Sequence, residues 1–252
     1  MNTQHIVPPE SIARYIKNIL VYHHYDEDVR TILPFFADGY PGLIYHTAVN
    51  RMTLFPSGQL MKPFFVYGQT LHPIKLSIEG PFDMVIFQLY PFALRSLFAL
   101  DAKSLNDDCL ELTTFEMDTV RKLGAEELTD NYISLITEFL SAKILTIANQ
   151  DDLIRKSIQL ILQNKGVISI KEVTEKLHVT ERSLQRHFKL EVGVSPKKFC
   201  KIIQFQASLT RLNSEEYLKL GQIAYENGFA DQSHFTRMFR HYTGQTPSSF
   251  VK

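Results

Sequence analysis

Leu184-x-Arg186-x-Phe188-Lys189-x-x-x-Gly193-x-Ser195-Pro196-x-x-Phe199 recurs as Phe235-x-Arg237-x-Phe239-Arg240-x-x-x-Gly244-x-Thr246-Pro247-x-x-Phe250, every matched position displaced by 51 residues. Eight positions agreeing in type and spacing report a repeated structural unit. Each copy carries the same local plan. Apolar residues four apart, Leu184 with Phe188 and Phe235 with Phe239, share one helix face. A glycine then ends the helix in left-handed backbone, and Ser-Pro or Thr-Pro supplies an N-cap and a first-turn proline for the next helix.

Outward from the repeat, the flanking signals are also helical. Asp151-Asp152 opens a helix with Ile154, Ile158 and Ile161 on one face, and Gly166 closes it. Ser169 with Glu172 predicts a capping box for a short helix holding Val173 and Leu177. Thr180 caps the next helix, and Ser195-Pro196 starts a longer one carrying Phe199, Ile202, Ile203, Phe205 and Leu209. Short helix, tight turn, second helix is the helix-turn-helix plan, and it occurs twice. Val173-Thr174 matches Ile223-Ala224 at an offset of 50, so the second copy has one extra residue in its turn, which contains Gly228. His178 occupies the place of Gly228 in the first copy, so that turn either takes another conformation or is slightly strained.

Opposite the apolar positions, the third helix of each copy crowds polar side chains. These are Arg182, Ser183, Gln185, Arg186 and Lys189 in the first, and Gln232, Ser233, His234, Thr236, Arg237 and Arg240 in the second. Such donors and acceptors can read base edges in a major groove, while Lys189 and Arg240 near the helix ends suit phosphates. A solvated helix face is the bland alternative for one such helix; two copies joined by a helix that holds them rigidly favour double-stranded DNA. Arg182, Gln185 and Gln232 lie furthest round the exposed face. For Arg186 and Arg237 two readings stand, contact with DNA or an ion pair inside the domain.

Charge follows the same division. Residues 1–150 carry 11 Lys and Arg against 17 Asp and Glu, net −6, and residues 151–252 carry 16 against 10, net +6. A basic half joined to an acidic one fits a polyanionic partner for the former. The 252-residue length predicts two compact units, and the 44% hydrophobic and 21% charged composition is that of an ordinary folded protein.

The helical half resembles the AraC/XylS family of transcription regulators. The resemblance covers residues 151 to 252 and is most specific from Ile223-Ala224 through Gly228-Phe229, Asp231, Ser233, Phe235, Arg237, Phe239-Arg240, Gly244, Thr246-Pro247 and Phe250. It implies a bipartite DNA-binding domain of about seven helices, with recognition helices Glu181 to Val192 and Gln232 to Thr243 in successive major-groove segments. Two positions depart from the pattern: Gln204 stands where many members carry an arginine, and Glu181 brings a negative charge to the start of the first recognition helix. The resemblance also implies RNA polymerase as a partner.

The first half reads as strands. Short apolar runs separated by turn signals, at Phe35-Phe36, Leu43 to Tyr45, Met52 to Phe55, Phe64 to Tyr67, Ile74 to Ile78 and Met84 to Tyr90, predict an antiparallel sandwich or small barrel. The pattern turns helical at Leu94, Leu97 and Phe98. From Asp118 to Ile147, Val120, Leu123, Leu128, Tyr132, Leu135, Ile136, Phe139 and Leu140 predict one or two amphipathic helices, packed on their own barrel or exposed as a homodimer surface. Residues 1 to about 113, best at Phe87 to Phe98, resemble the cupin-like sensing domain that precedes the DNA-binding domain in many members, which implies a small-molecule effector or dimerisation. The expected organisation is thus a mainly β N-terminal domain (1–113, a cupin-like barrel plus helices), a helical connector (114–148) and an all-α C-terminal domain with two helix-turn-helix units (149–252).

Other chemistries find little support. His23-His24, His46 and His72 lack the His-x-His pattern with a downstream Glu and His, and adjacent His23 and His24 point to opposite faces of a strand, so no metal is expected. Cys109 and Cys200 fit no C-x-x-C pattern and read as buried thiols without an activating setting. Nucleophile elbows, Walker loops and dinucleotide fingerprints are absent, so neither an enzyme nor a cofactor is expected. No apolar run reaches the length of a membrane helix and Met1 to Glu10 is unlike a signal peptide, which predicts a cytoplasmic chain. A constitutive dimeric DNA-binding protein without an effector, and a cupin-type metal enzyme fused to a DNA-binding domain, are the alternatives.

Overall fold

Apolar side chains alternate between two buried faces along the central strands of the first half, which fixes how its layers stack. In the computed structural model, which describes residues 2–27, 29–112, 117–124, 129–147, 152–214 and 219–250, the strands are β1 (Asn2–Ile6), β2 (Ile16–His24), β3 (Arg30–Phe35), β4 (Gly42–His46), β5 (Met52–Phe55), β6 (Gln59–Leu60), β7 (Phe64–Tyr67), β8 (Ile74–Glu79), β9 (Phe82–Leu89) and β10 (Cys109–Glu111). They form a six-stranded sheet in the order β1-β2-β9-β4-β7-β10 and a four-stranded sheet in the order β3-β8-β5-β6, with antiparallel neighbours throughout. Met84 and Ile86 of β9 join Leu33, Leu54, Leu76 and Ile78 in the layer between the sheets. Val85, Phe87 and Leu89 of the same strand face the helices. A strand buried on both faces loses the polar alternation of a half-exposed one, and that is why β4, β7 and β9 read as near-continuous apolar runs.

The helices are α1 (Ala93–Phe98), α2 (Met117–Gly124), α3 (Thr129–Leu145), α4 (Asp152–Gln163), α5 (Ile170–Leu177), α6 (Glu181–Val192), α7 (Pro196–Leu212), α8 (Leu220–Glu226), α9 (Gln232–Thr243) and α10 (Pro247–Phe250). The amphipathic stretch is two helices, and its stripe packs on the chain's own sheet: Tyr132, Ile136 and Leu140 of α3 are buried, and the Tyr132 ring lies 4.9 Å from that of Tyr45. Leu128, Asp151 and the expected seams at 113/114 and 148/149 lie outside the described residues. Cys200 is buried, but Cys109, on the edge strand β10, is only half-buried, a correction to its reading as a buried thiol. Burial pushes the two thiols up to about 12 at Cys109 and about 11 at Cys200, away from the reactive thiolate.

Buried apolar residues of the two halves belong to one continuous core. Gln206 Nε2 of α7 donates to Ala37 O at 2.6 Å, and Asn106 Nδ2 to Gly193 O at 3.0 Å. Arg95 of α1 pairs with Glu191 of α6 at 3.2 Å. Gly39 has φ +84°, and a Cβ built there would lie 2.9 Å from Phe199 Cε2 and 3.1 Å from Ile203 Cδ1, so α7 sits directly on that turn. The 37–40 segment after β3 is therefore a main point of attachment between the halves.

The turn of the first helix-turn-helix resolves in favour of strain. His178 has φ +54°, the left-handed backbone that Gly228 takes at φ +72° in the second copy. A side chain in that region costs about 1 to 2 kcal/mol, partly offset by the smaller backbone entropy a non-glycine loses on folding. His178→Gly is expected to raise stability by about 0.5 to 1 kcal/mol, read as an upward shift of the urea midpoint; a downward shift would mean that the imidazole holds the turn.

Candidate nucleic-acid interface

Each recognition helix is fixed at both ends by its own sequence. Thr180 Oγ1 accepts from the Ser183 N–H at 3.2 Å at the start of α6, and Gly193 at φ +82° closes it. In α9, Asp231 Oδ1 accepts from the His234 N–H at 2.7 Å, and Gly244 at φ +77° closes the helix. The preceding helix α5 has the full capping box between Ser169 and Glu172, while Ser195 Oγ caps α7 by accepting from the Lys198 N–H at 3.2 Å. The helix bounds coincide with the spans that the resemblance implied for the two recognition helices.

Packing then decides which face each helix shows to solvent. Leu184 and Phe188 are fully buried, and Phe188 meets Phe199 of α7 with ring centroids 5.5 Å apart. Phe235 and Phe239 are equally buried, and Phe239 meets Phe205 of α7 at 5.6 Å. One 17-residue helix thus clamps the inner faces of both units. With those faces taken, Arg182, Gln185, Arg186 and Lys189 of α6 are exposed, with Ser183 half-buried. On α9, Gln232, Ser233, Arg237 and Arg240 are exposed, Thr236 is half-buried, and half-buried His234 lies against the Phe229 ring at 5.6 Å. Among the described residues, no carboxylate pairs with Arg186 or Arg237; Arg186 Nη2 lies 3.0 Å from His187 Nε2 on its own helix.

The structure adds basic residues that a reading confined to the two recognition helices missed. A groove of about 470 Å³ between α9 and the start of α7 is lined by Lys197, Lys198 and Lys201 together with His234, Arg237 and His241. The signal was present in the sequence as Pro196-Lys197-Lys198-x-x-Lys201, whose lysines fall on one side of the helical turn that follows the N-cap. His241 is held below the usual imidazole range by burial, with neighbouring His72, Lys198 and Lys201 also disfavouring its charge.

The histidines of the β half are placed as single groups. His23 Nδ1 lies 2.6 Å from Asp83 Oδ1, and His72 Nδ1 2.7 Å from Asp107 Oδ2. Buried His46 places Nε2 3.0 Å from Lys62 O, and its Nδ1 accepts the Ala48 N–H at 3.2 Å. Burial pushes His46 down to about 4. Among the described residues, no cluster of three or more His, Cys, Asp or Glu could hold a metal, and no helix is long and apolar enough to cross a membrane.

Residues 173–252 match the family model of a helix-turn-helix domain, and residues 4–111 match that of a domain of unknown function, DUF6597. Among curated proteins the chain is 28% identical over 119 residues to the ornithine utilization regulator of Pseudomonas aeruginosa, covering 47% of this chain and 34% of that protein. Residues 173–252 are thus a helix-turn-helix domain. A second relative, an uncharacterized HTH-type transcriptional regulator of Haemophilus influenzae, is 25% identical over 138 residues, covering 49% of this chain and 46% of that protein. The matches thus span less than half the length of both curated relatives. Among solved structures, ToxT of Vibrio cholerae superposes with a TM-score of 0.51 at 17% identity, over 100% of this chain and 98% of ToxT. That likeness extends to the whole two-part architecture, a β-rich N-terminal part followed by helices.

Proposed function

We propose that the chain is a sequence-specific regulator of transcription, not an enzyme, which binds double-stranded DNA through α6 and α9 and responds to a small-molecule effector through its β half. The observation that carries this reading is the pair of helix-turn-helix units clamped on α7, each with an Arg- and Gln-rich face turned to solvent. Arg182, Gln185, Arg186, Gln232, Ser233 and Arg237 are the base-reading candidates, with Ser183, His234 and Thr236 at the margins of those faces. Lys189 and Arg240, joined by Lys197, Lys198 and Lys201, meet phosphates. Homodimerisation and contact with RNA polymerase belong to the same reading.

Salt titration of the full chain on DNA selected from a random pool tests it. With six or more phosphates neutralised, affinity is expected to fall roughly a thousandfold between about 50 and 200 mM salt. A flat response would exclude a multi-contact phosphate interface. Arg186→Ala and Arg237→Ala separate base contact from an internal role. Each is expected to weaken binding to the selected site by about 1 to 3 kcal/mol and to relax preference at one base pair, with an unchanged melting temperature because neither has a carboxylate partner. A lowered melting temperature with an unaltered base profile would remove both from the contact surface.

A further inference from the structure

A cleft of about 830 Å³ opens between the two halves. Lys17 of β2, Asp38 and Tyr40 after β3, and Gln88 of β9 line one side. Lys165 after α4, Thr210 and Arg211 of α7, and Glu226 of α8 line the other. Leu162, Ile203, Ala207 and the Tyr40 ring give the cleft an apolar share about equal to its polar one, so a ligand that fills it needs polar groups to meet the charged side chains as well as a short apolar part.

The charges facing the cleft are arranged in two ways. Arg211 Nε lies 3.4 Å from Glu226 Oε2, and Gln222, Arg211 and Lys165 together hold the Glu226 carboxyl below its usual range. Lys17 and Asp38 behave differently. Lys17 places its ammonium 3.7 Å from the centre of the Tyr40 ring. Asp38 Oδ1 accepts the Tyr40 N–H at 2.9 Å and Oδ2 accepts Gln88 Nε2 at 2.6 Å. The two charges feel each other, but the Lys17 ammonium is seated on the Tyr40 ring while Asp38 is held by Tyr40 and Gln88. Burial works against both, lowering the Lys17 amine and pushing the Asp38 carboxyl up to about 6. Opposite charges facing one cleft are complementary to a molecule that carries both.

We infer that this cleft is an effector site for a small zwitterion of amino-acid type, its carboxylate meeting Lys17 and Lys165 and its ammonium meeting Asp38. The inference rests on the effector-responsive reading above and adds the site and the ligand chemistry. Occupancy reaches the DNA-binding half by a short route. Asp38 lies between Ala37, whose carbonyl accepts from Gln206 of α7, and Gly39, against which Phe199 and Ile203 of α7 pack. A ligand drawn onto Asp38 therefore acts on the helix that clamps both helix-turn-helix units.

The test is thermal unfolding of the full chain at neutral pH with each of the twenty protein amino acids, 4-aminobutyrate and 5-aminovalerate at about 10 mM, beside their deaminated carboxylates and decarboxylated amines. At least one zwitterion is expected to raise the melting temperature by about 2 °C or more, and its single-charge analogues by less than a third of that. Asp38→Asn and Lys17→Met are expected to remove the shift. Should either fail to fold, Lys165→Met and Thr210→Leu, at exposed positions of the same cleft, are expected to weaken it at least fivefold by calorimetric titration. No zwitterion exceeding its analogues, or a shift that survives all the cleft variants, overturns the inference. DNA binding by the ligand-free chain is measured separately, so failure of the cleft site leaves the DNA-binding reading standing, and the converse also holds.

Discussion

Phe205→Ala is expected to lower the unfolding free energy by about 3 to 5 kcal/mol, a large part of the roughly 5 to 15 kcal/mol that a folded protein has. Phe205 is fully buried on α7, with its ring 5.6 Å from Phe239 and 5.0 Å from Tyr242 of α9. Phe239 continues the contacts to Phe235 at 5.7 Å and to Phe250 at 5.3 Å, and Phe250 reaches Phe36 of the β half at 5.7 Å. Truncation removes the ring's transfer energy and leaves a cavity whose walls, drawn from α7 and α9, are tied down elsewhere and cannot readily collapse. Because the aromatic series crosses into the β half, one denaturant transition should move as a whole, without a separate early step for the helical half. Tyr225→Ala is the control: that ring is 85% exposed, and its loss should change stability by no more than about 0.5 kcal/mol. A loss below about 1.5 kcal/mol for Phe205→Ala would show that the series is not close-packed.

The helical half was legible because its signals are local. Thr180, Ser195 and the Ser169–Glu172 box act on backbone N–H groups within three residues, so the sequence states them and the structure repeats them. The β half was legible only in part. β4, β5, β7, β8 and β9 stood out as apolar runs, β3 was caught only at its end, Phe35, and β1, β2, β6 and β10 were missed as pairing strands. β1 is an edge strand whose Thr3, Gln4 and His5 face solvent and whose Ile6 packs toward the core, so it carries no apolar run. β2 interrupts its apolar residues with Lys17 and Asn18, which serve the cleft and a hydrogen bond to Gln88. The choice between an α3 stripe packed at home and one offered to a partner was likewise undecidable from spacing, since both put the same residues on one face. Long-range pairing also hid the Asp38 cleft, whose members are scattered from Lys17 to Glu226 along the chain.

Inserting about 5 base pairs between the two halves of the bound DNA site is expected to weaken specific binding at least 100-fold. The reason is the stiffness of the connection. α7, about 25 Å long at 1.5 Å per residue, holds α6 through Phe188–Phe199 and α9 through Phe205–Phe239. The β half adds a brace at the C-terminal ends of both, through Arg95–Glu191 on α6 and the His72–His241 ring contact on α9. On the proposed DNA-binding reading, two helices fixed in this way are expected to reach major-groove segments about one turn, roughly 10 base pairs, apart on one face of the duplex. Half a turn of extra DNA carries the second segment to the opposite face, and the base contacts of one unit are lost, each good pair being worth about 1 to 3 kcal/mol. A full-turn insertion makes the decisive comparison. It restores the face but roughly doubles the distance, so a rigid connection predicts weak binding there too, whereas a flexible one predicts recovery. Electrophoretic mobility shifts on the three DNAs at one salt concentration separate the cases. Recovery at the full turn would place the hinge within α7 or at its ends, and equal binding to all three DNAs would mean that only one unit engages.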